Sequence, residues 1–140
     1  MKINRFKVFL YLGLFLAPFL SIFGYFSLQV INTLTAYESI VTIYSALNNA
    51  SLFALFSITL IVTTFTIVVL LTGKSLRWMP KIILFILSGM VLISFIAGWT
   101  MTTITKKELD EKGYIECTSE REFALKYSSK TYVLPPETCD

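Results

Sequence analysis

The sequence predicts an all-α membrane protein. Three transmembrane helices, N-terminus in the cytoplasm and C-terminus outside, lead into a small disulfide-closed extracytoplasmic tail with a β-hairpin. Three observations carry the prediction. Residues 39–73 hold no formal charge and neither do residues 82–105, so two apolar runs are each long enough to span a bilayer. The stretch Gly73-Lys74-Ser75-Leu76-Arg77-Trp78-Met79-Pro80-Lys81 between them holds three cations and no anion, as a short cytoplasmic turn should. After Thr105 the chain becomes polar, and both cysteines, Cys117 and Cys139, fall there.

Composition agrees. Of 140 residues 55% are hydrophobic and only 15% are charged, against about a quarter charged in soluble domains. Such a chain has too little polar surface to face water on all sides. The net charge of +3 is the sum of unlike segments. Lys2, Arg5 and Lys7 make the start basic, Lys74, Arg77 and Lys81 make the turn basic, and Glu38 is the only charge between Val8 and Gly73. The part after Thr105 carries six cations and eight anions. Cations thus flank alternate apolar runs, the positive-inside pattern. Neither cluster has the length of a groove-binding stripe, so a nucleic-acid partner is not expected. The division expected is a transmembrane domain over residues 1–104 and a tail over 105–140.

The first span covers residues 8–30. Its apolar run exceeds a signal-peptide core, and no small-x-small cleavage pair follows it, which favours an uncleaved anchor. Gly13, Ala17, Ser21 and Gly24 recur every three or four residues and share one helix face. Small residues let helices approach closely in lipid, and packing against this chain's own spans is favoured over contact with a partner. Pro18 lacks the amide that would bond back one turn, so a kink is expected. Residues 31–50 lie outside the cytoplasm, with Tyr37 and Tyr44 at headgroup depth. Ser39-Ile40-Val41-Thr42-Ile43-Tyr44 is apolar enough to lie in the interface or to extend the second helix. Glu38 reads as a solvated loop carboxylate.

The second span covers residues 51–72, about 33 Å of helix against a hydrocarbon core of about 30 Å. Its hydroxyls, Ser57, Thr59, Thr63, Thr64 and Thr66, are expected to return to carbonyls of the preceding turn rather than line a path. No Asp, Glu, Lys, Arg or His falls inside any span, and such residues are the usual mark of a transport route. The third span covers residues 82–103, with Trp78 and Trp99 near its ends and Pro80 fitting its first turn. Ser94, Gly98 and Thr102 repeat every four residues as a second small-residue face.

Beyond Thr105 the helix formers from Lys106 to Lys112 extend the third helix about two turns into water, and Gly113 supplies its stop. Tyr114-Ile115-Glu116-Cys117 and Thr131-Tyr132-Val133-Leu134 read as strands. Glu120 to Tyr127 reads as a helical turn or two, and Pro135-Pro136 ends the second strand. An external tail sits in an oxidising compartment, so Cys117 and Cys139 are expected to pair. Closing that loop contributes roughly 3.4 kcal/mol on the chain-entropy model. Metal is the weaker alternative, because two cysteines without any histidine supply too few ligands for structural zinc. A redox pair would prefer C-x-x-C spacing.

Leu109 to Cys117, then Ser128 to Val133, then Cys139 form a G-Y-x-x-C, S-x-x-x-Y-V, C pattern after apolar helices. In this the chain resembles a family of small bacterial membrane proteins known as domain of unknown function 1240. The resemblance implies a bacterial inner-membrane location and brings no catalytic residue with it.

Catalysis finds little support. With no histidine, neither a Ser-His nor a Cys-His arrangement can form, and Gly73-Lys74-Ser75 lacks the upstream glycine of a P-loop. No cofactor or metal is expected. The expected function is non-enzymatic binding or shielding: immunity-type protection against a membrane- or periplasm-acting toxin. That is fold-level analogy. The expected partners are the lipid bilayer and a protein in the membrane or periplasm, with Phe123, Tyr127 and Tyr132 as candidate contact residues; their alternative is the tail's own core. Two other readings are an accessory subunit of a larger membrane complex, using the small-residue faces, and a holin-like lesion-forming oligomer.

Overall fold

The computed structural model describes residues 4–36, 38–75, 80–123, 128–136 and 139, with backbone alone for 118–123. The first helix is α1 (Arg5–Tyr11), a π-helical turn (Leu12–Leu16) and α2 (Ala17–Thr35). Asn4 caps its start, Oδ1 accepting from the amides of Phe6 and Lys7 at 3.1 and 3.4 Å. The π-turn sits immediately before Pro18, whose missing amide breaks the regular ladder there. Helix α3 (Ala46–Thr72) is capped by the Ser45 hydroxyl, which accepts from the Asn48 amide, and ends at Gly73 with φ +67°. Helix α4 (Lys81–Glu111) starts after Pro80 and stops at Gly113, φ +82°. All three helices are long and apolar enough to cross a membrane, which makes this a multi-pass membrane protein. Their large apolar side chains face outward, Phe85, Ile93 and Leu71 among the most exposed, as a lipid solvent requires. Trp99 stands exposed on α4 beside Phe95; Trp78, Arg77 and Tyr37 lie outside the described residues.

Above the helices lies a three-stranded antiparallel sheet, β1 (Ile40–Tyr44), β2 (Ile115–Phe123) and β3 (Ser128–Val133), in the order β1-β3-β2. The hairpin expected from the tail is β2–β3. The third strand corrects the reading of residues 39–44 as an extension of the second helix: they pair with β3, Val41 opposite Tyr132 and Ile43 opposite Lys130. Residues 120–123 are likewise strand rather than helix, because β2 pairs with β3 again beyond an irregularity between Cys117 and Glu122; residues 124–127 lie outside the described ones.

Alternation sets the sheet's faces. On β1, Val41 and Ile43 are buried while Ile40, Thr42 and Tyr44 are exposed. The buried pair meets Leu34 from α2, Leu109 from the aqueous end of α4, Tyr114 and Tyr132, with Val30, Met101 and Leu134 around them. This cluster is the protein's main apolar core. It fastens the sheet to the ends of two membrane helices.

Candidate functional site

Four features of this frame bear on function: the cap, the seam between α3 and α4, the basic end and a groove. The cap is closed by the Cys117–Cys139 disulfide, Cα atoms 5.7 Å apart, within the ordinary range for such a bond. Cys117 is buried at the sheet, so the bridge pins the chain's end onto it. Tyr114 donates its hydroxyl to the Glu38 carbonyl at 2.9 Å, tying the segment after α4 to the one before β1. The Leu134 amide donates to the Ser39 carbonyl at 2.8 Å and holds the far side.

Toward the helices, Lys130 donates to Glu116 Oε2 at 3.0 Å. Lys106 of α4 belongs to the same cluster. Partial burial pushes its ammonium below the usual lysine range, the Lys130 charge pushes it further down, and Glu116 opposes both. On the exposed extension of α4, Lys107–Glu111 at 3.8 Å and Lys112–Glu108 at 3.7 Å form one-turn ion pairs.

Tyr132, expected on a contact surface, is instead 4% exposed, inside the cap's core. It stands opposite Val41 on the sheet's inward face, so of its two readings the tail's own core is the one the structure takes. Tyr127 and the side chain of Phe123 lie outside what the structure describes. No group of three or more His, Cys, Asp or Glu residues that could hold a metal stands together among the described residues.

The seam is the tightest membrane contact. A Cβ on Gly98 would stand 2.7 Å from Phe53 Cδ2, 3.0 Å from Ala50 Cα and 3.2 Å from the Asn49 carbonyl, so only glycine admits this approach. Buried Asn49 donates Nδ2 to Thr102 Oγ1 at 3.0 Å, and Thr102 donates in turn to the Gly98 carbonyl. About two helical turns further along, Ser57 donates to Ser94 Oγ at 2.6 Å. The α3 threonines Thr59, Thr63, Thr64 and Thr66 bond back to their own helix as expected; Ser57 does not, because Ser94 faces it.

The first helix departs from expectation. Gly13, Ala17 and Ser21 are exposed, and a Cβ on Gly13 would meet nothing within 4 Å. That face does not pack against the chain's own spans. Only Gly24 touches another helix, 3.3 Å from Phe56 measured at its absent Cβ. The buried residues of α2 are Ser27 and Leu34, and the Ser27 hydroxyl finds no hydrogen-bond partner among the described residues.

At the basic end, the Arg5 guanidinium lies 2.9 Å from where a Gly73 Cβ would stand. The last turn of α3 has no cation of its own, so Arg5 complements its negative dipole end from the neighbouring helix. This contact brings the two basic clusters of the sequence together, opposite the cap.

The groove lies between α2 and α3, beneath β1, with a cavity volume of about 460 Å³. Phe23 and Phe26 line its deep part, facing Leu52 and Leu55, and Gln29, Asn48 and Asn49 bring three carboxamides to it. Ile43 and Tyr44 form its roof. Sequence reading singled out none of these residues as a site. The available signal was Gln29, the lone carboxamide in the first span.

No curated protein and no solved structure matches the chain. A family model does, over residues 43–140, from within β1 through α3, α4 and the remaining sheet. Its description is a protein of unknown function, DUF1240, the family that the cysteine and tyrosine pattern resembles. With most of its length matched, helical hairpin and disulfide-closed cap included, the chain belongs to that family.

Proposed function

We propose that this is a bacterial inner-membrane protein with its N-terminus in the cytoplasm and its cap in the periplasm. It works by binding rather than catalysis, and shields the cell from a toxin that acts in the membrane or periplasm. The orientation is supported by Arg5, Lys7, Lys74 and Lys81 gathering at one end, with the disulfide at the other. The positive-inside rule assigns the first to the cytosol, and redox chemistry assigns the second to an oxidising compartment.

One observation carries the mode of action. A strand from the α2–α3 connection is hydrogen-bonded into the C-terminal sheet, so the cap is one body with the helix ends. A cap fixed in this way can present a shaped surface beside the bilayer, as a binding protein needs.

Expression in sensitive cells beside the product of the neighbouring gene is expected to protect them. Failure to protect against any neighbouring toxin overturns the shielding role. Orientation is tested separately: after reduction, a membrane-impermeant thiol reagent on spheroplasts is expected to mark Cys139, the exposed partner of the bridge, and to miss an engineered Ser75→Cys.

A second reading, an accessory subunit of a larger membrane complex, is favoured by the outward Gly13, Ala17 and Ser21. Those residues leave a backbone-close surface open on the first helix. A stoichiometric partner retained in mild detergent, and lost on Ala17→Leu, is its expected outcome.

A further inference from the structure

We infer that the groove between α2 and α3 is a lipid site. It takes one acyl chain along Phe23, Phe26, Leu52 and Leu55, and its carboxamides donate to the ester carbonyls of that lipid.

The argument starts from Gln29. It lies in the last turn of the first span, its side chain is exposed, and its carboxamide has no hydrogen-bond partner among the described residues. Asn48, on the facing helix, spends its backbone amide on the Ser45 cap, and its carboxamide has no partner there either. Amide groups left without partners at the edge of hydrocarbon are costly. Both line the same groove. Lipid ester carbonyls are acceptors at the boundary between hydrocarbon and headgroup, the depth these two donors occupy near the helix ends.

The shape of the groove selects the occupant. Its 460 Å³ falls in the usual range of small-molecule sites, which are apolar with a few placed polar groups. A helix about 10 Å wide fills roughly 420 Å³ in every 5.4 Å turn. The groove therefore takes about one turn of a partner helix but a substantial length of a single chain. Its lining residues include no Asp, Glu, Lys, Arg or His, so recognition is of the uncharged ester region and not of a headgroup charge. The roof formed by Ile43 and Tyr44 closes the groove toward the cap. In the proposed orientation the lipid belongs to the outer leaflet. The site itself does not depend on that orientation or on the shielding role.

The test uses the whole protein in vesicles of phosphatidylethanolamine and phosphatidylglycerol, with trace phosphatidylethanolamine carrying a diazirine on one acyl chain. After photolysis, adducts on Phe26, Leu52 and Leu55 are expected to exceed those on Phe85 and Ile93, which face bulk lipid on α4. Gln29→Leu is expected to reduce that excess roughly threefold, the ratio one modest membrane hydrogen bond supplies. Leu52→Trp, which fills the groove, is expected to abolish the excess while adducts on α4 and the disulfide stay unchanged. Equal labelling of groove and α4 overturns the inference, as does an excess that both substitutions leave intact. So does a photoreactive residue at Leu55 that captures another polypeptide in native membranes instead of lipid.

Discussion

The seam between α3 and α4 and the outward face of the first helix carry small residues at the same four-residue spacing, yet only one of them packs. Ser94, Gly98 and Thr102 each meet something on α3: a serine, a backbone and an asparagine. Gly13, Ala17 and Ser21 face outward, and Ser21 bonds back to its own helix. Spacing thus permits close approach without producing it. In lipid there is little hydrophobic drive to bring helices together, so a polar partner across the gap decides. The seam has such partners at two levels. The first helix is instead held by larger side chains, by Arg5 over Gly73 at one end and by the cap's core at the other. The family model's match, which begins within β1 and leaves out that helix, follows the same division.

Opening the cap is expected to break the comparison most. Cys117→Ser removes a bridge contributing up to roughly 3.4 kcal/mol on the chain-entropy model. The cap is what grips Leu34 at the end of α2, so hydrogen exchange is expected to accelerate in β1, β3 and the last turns of α2. The seam is expected to keep its protection. Uniform acceleration through α3 and α4 would show that the two attachments are one cooperative unit.

Next come the two glycines. Gly98→Val forces side chain into the backbone of Ala50 and is expected to cost about 1–3 kcal/mol, more if α4 cannot shift. Gly13→Val meets open space and is expected to stay within about 0.5 kcal/mol. Thermal unfolding in detergent of both variants checks the contrast, and equal effects would refute it.

Hydroxyls and amides sharpen the contrast further. Asn49→Ala removes the donor to Thr102 and is expected to cost about 0.6–1.7 kcal/mol, the range of membrane hydrogen bonds. Ser27→Ala removes a buried hydroxyl that has no partner among the described residues, and is expected to be neutral or stabilising in the same assay.

The spans were legible in the sequence because hydropathy over twenty residues is a long-range average, insensitive to detail. The seam was legible at Gly98 and Ser94 because small residues at that spacing are needed wherever helices touch. The direction of the first helix's small face was not, since rotation about a helix axis depends on what stands opposite. The strand Ile40–Tyr44 was missed for a related reason. Its β-branched, aromatic composition is a strand signal, but next to a span the same residues read as membrane-embedded. Its partner Lys130 lies far along the chain from Ile43 and gives no local cue. For Tyr132 the sequence left contact surface and tail core open, because nothing local shows that β1 covers it. The disulfide needed only the compartment and the count of cysteines.

The smallest expected effect concerns Lys106, where the cap meets α4. Burial, reinforced by Lys130 and opposed by Glu116, lowers its folded pKa below the unfolded one. At pH values below both, the ammonium is charged in either state and the cap bears the full cost of holding it. Between the lowered folded pKa and the usual lysine value the unfolded chain binds more protons, so stability rises with pH in that window. Lys106→Met removes the titrating group while keeping an apolar stem. The stability gap between variant and wild type, read as β1 and β3 exchange protection after correction for the intrinsic rate, is therefore expected to favour the variant at neutral pH and to narrow as pH climbs through that alkaline window. A gap constant across the window would mean that solvent reaches Lys106 freely and that the cap rests on its apolar core alone.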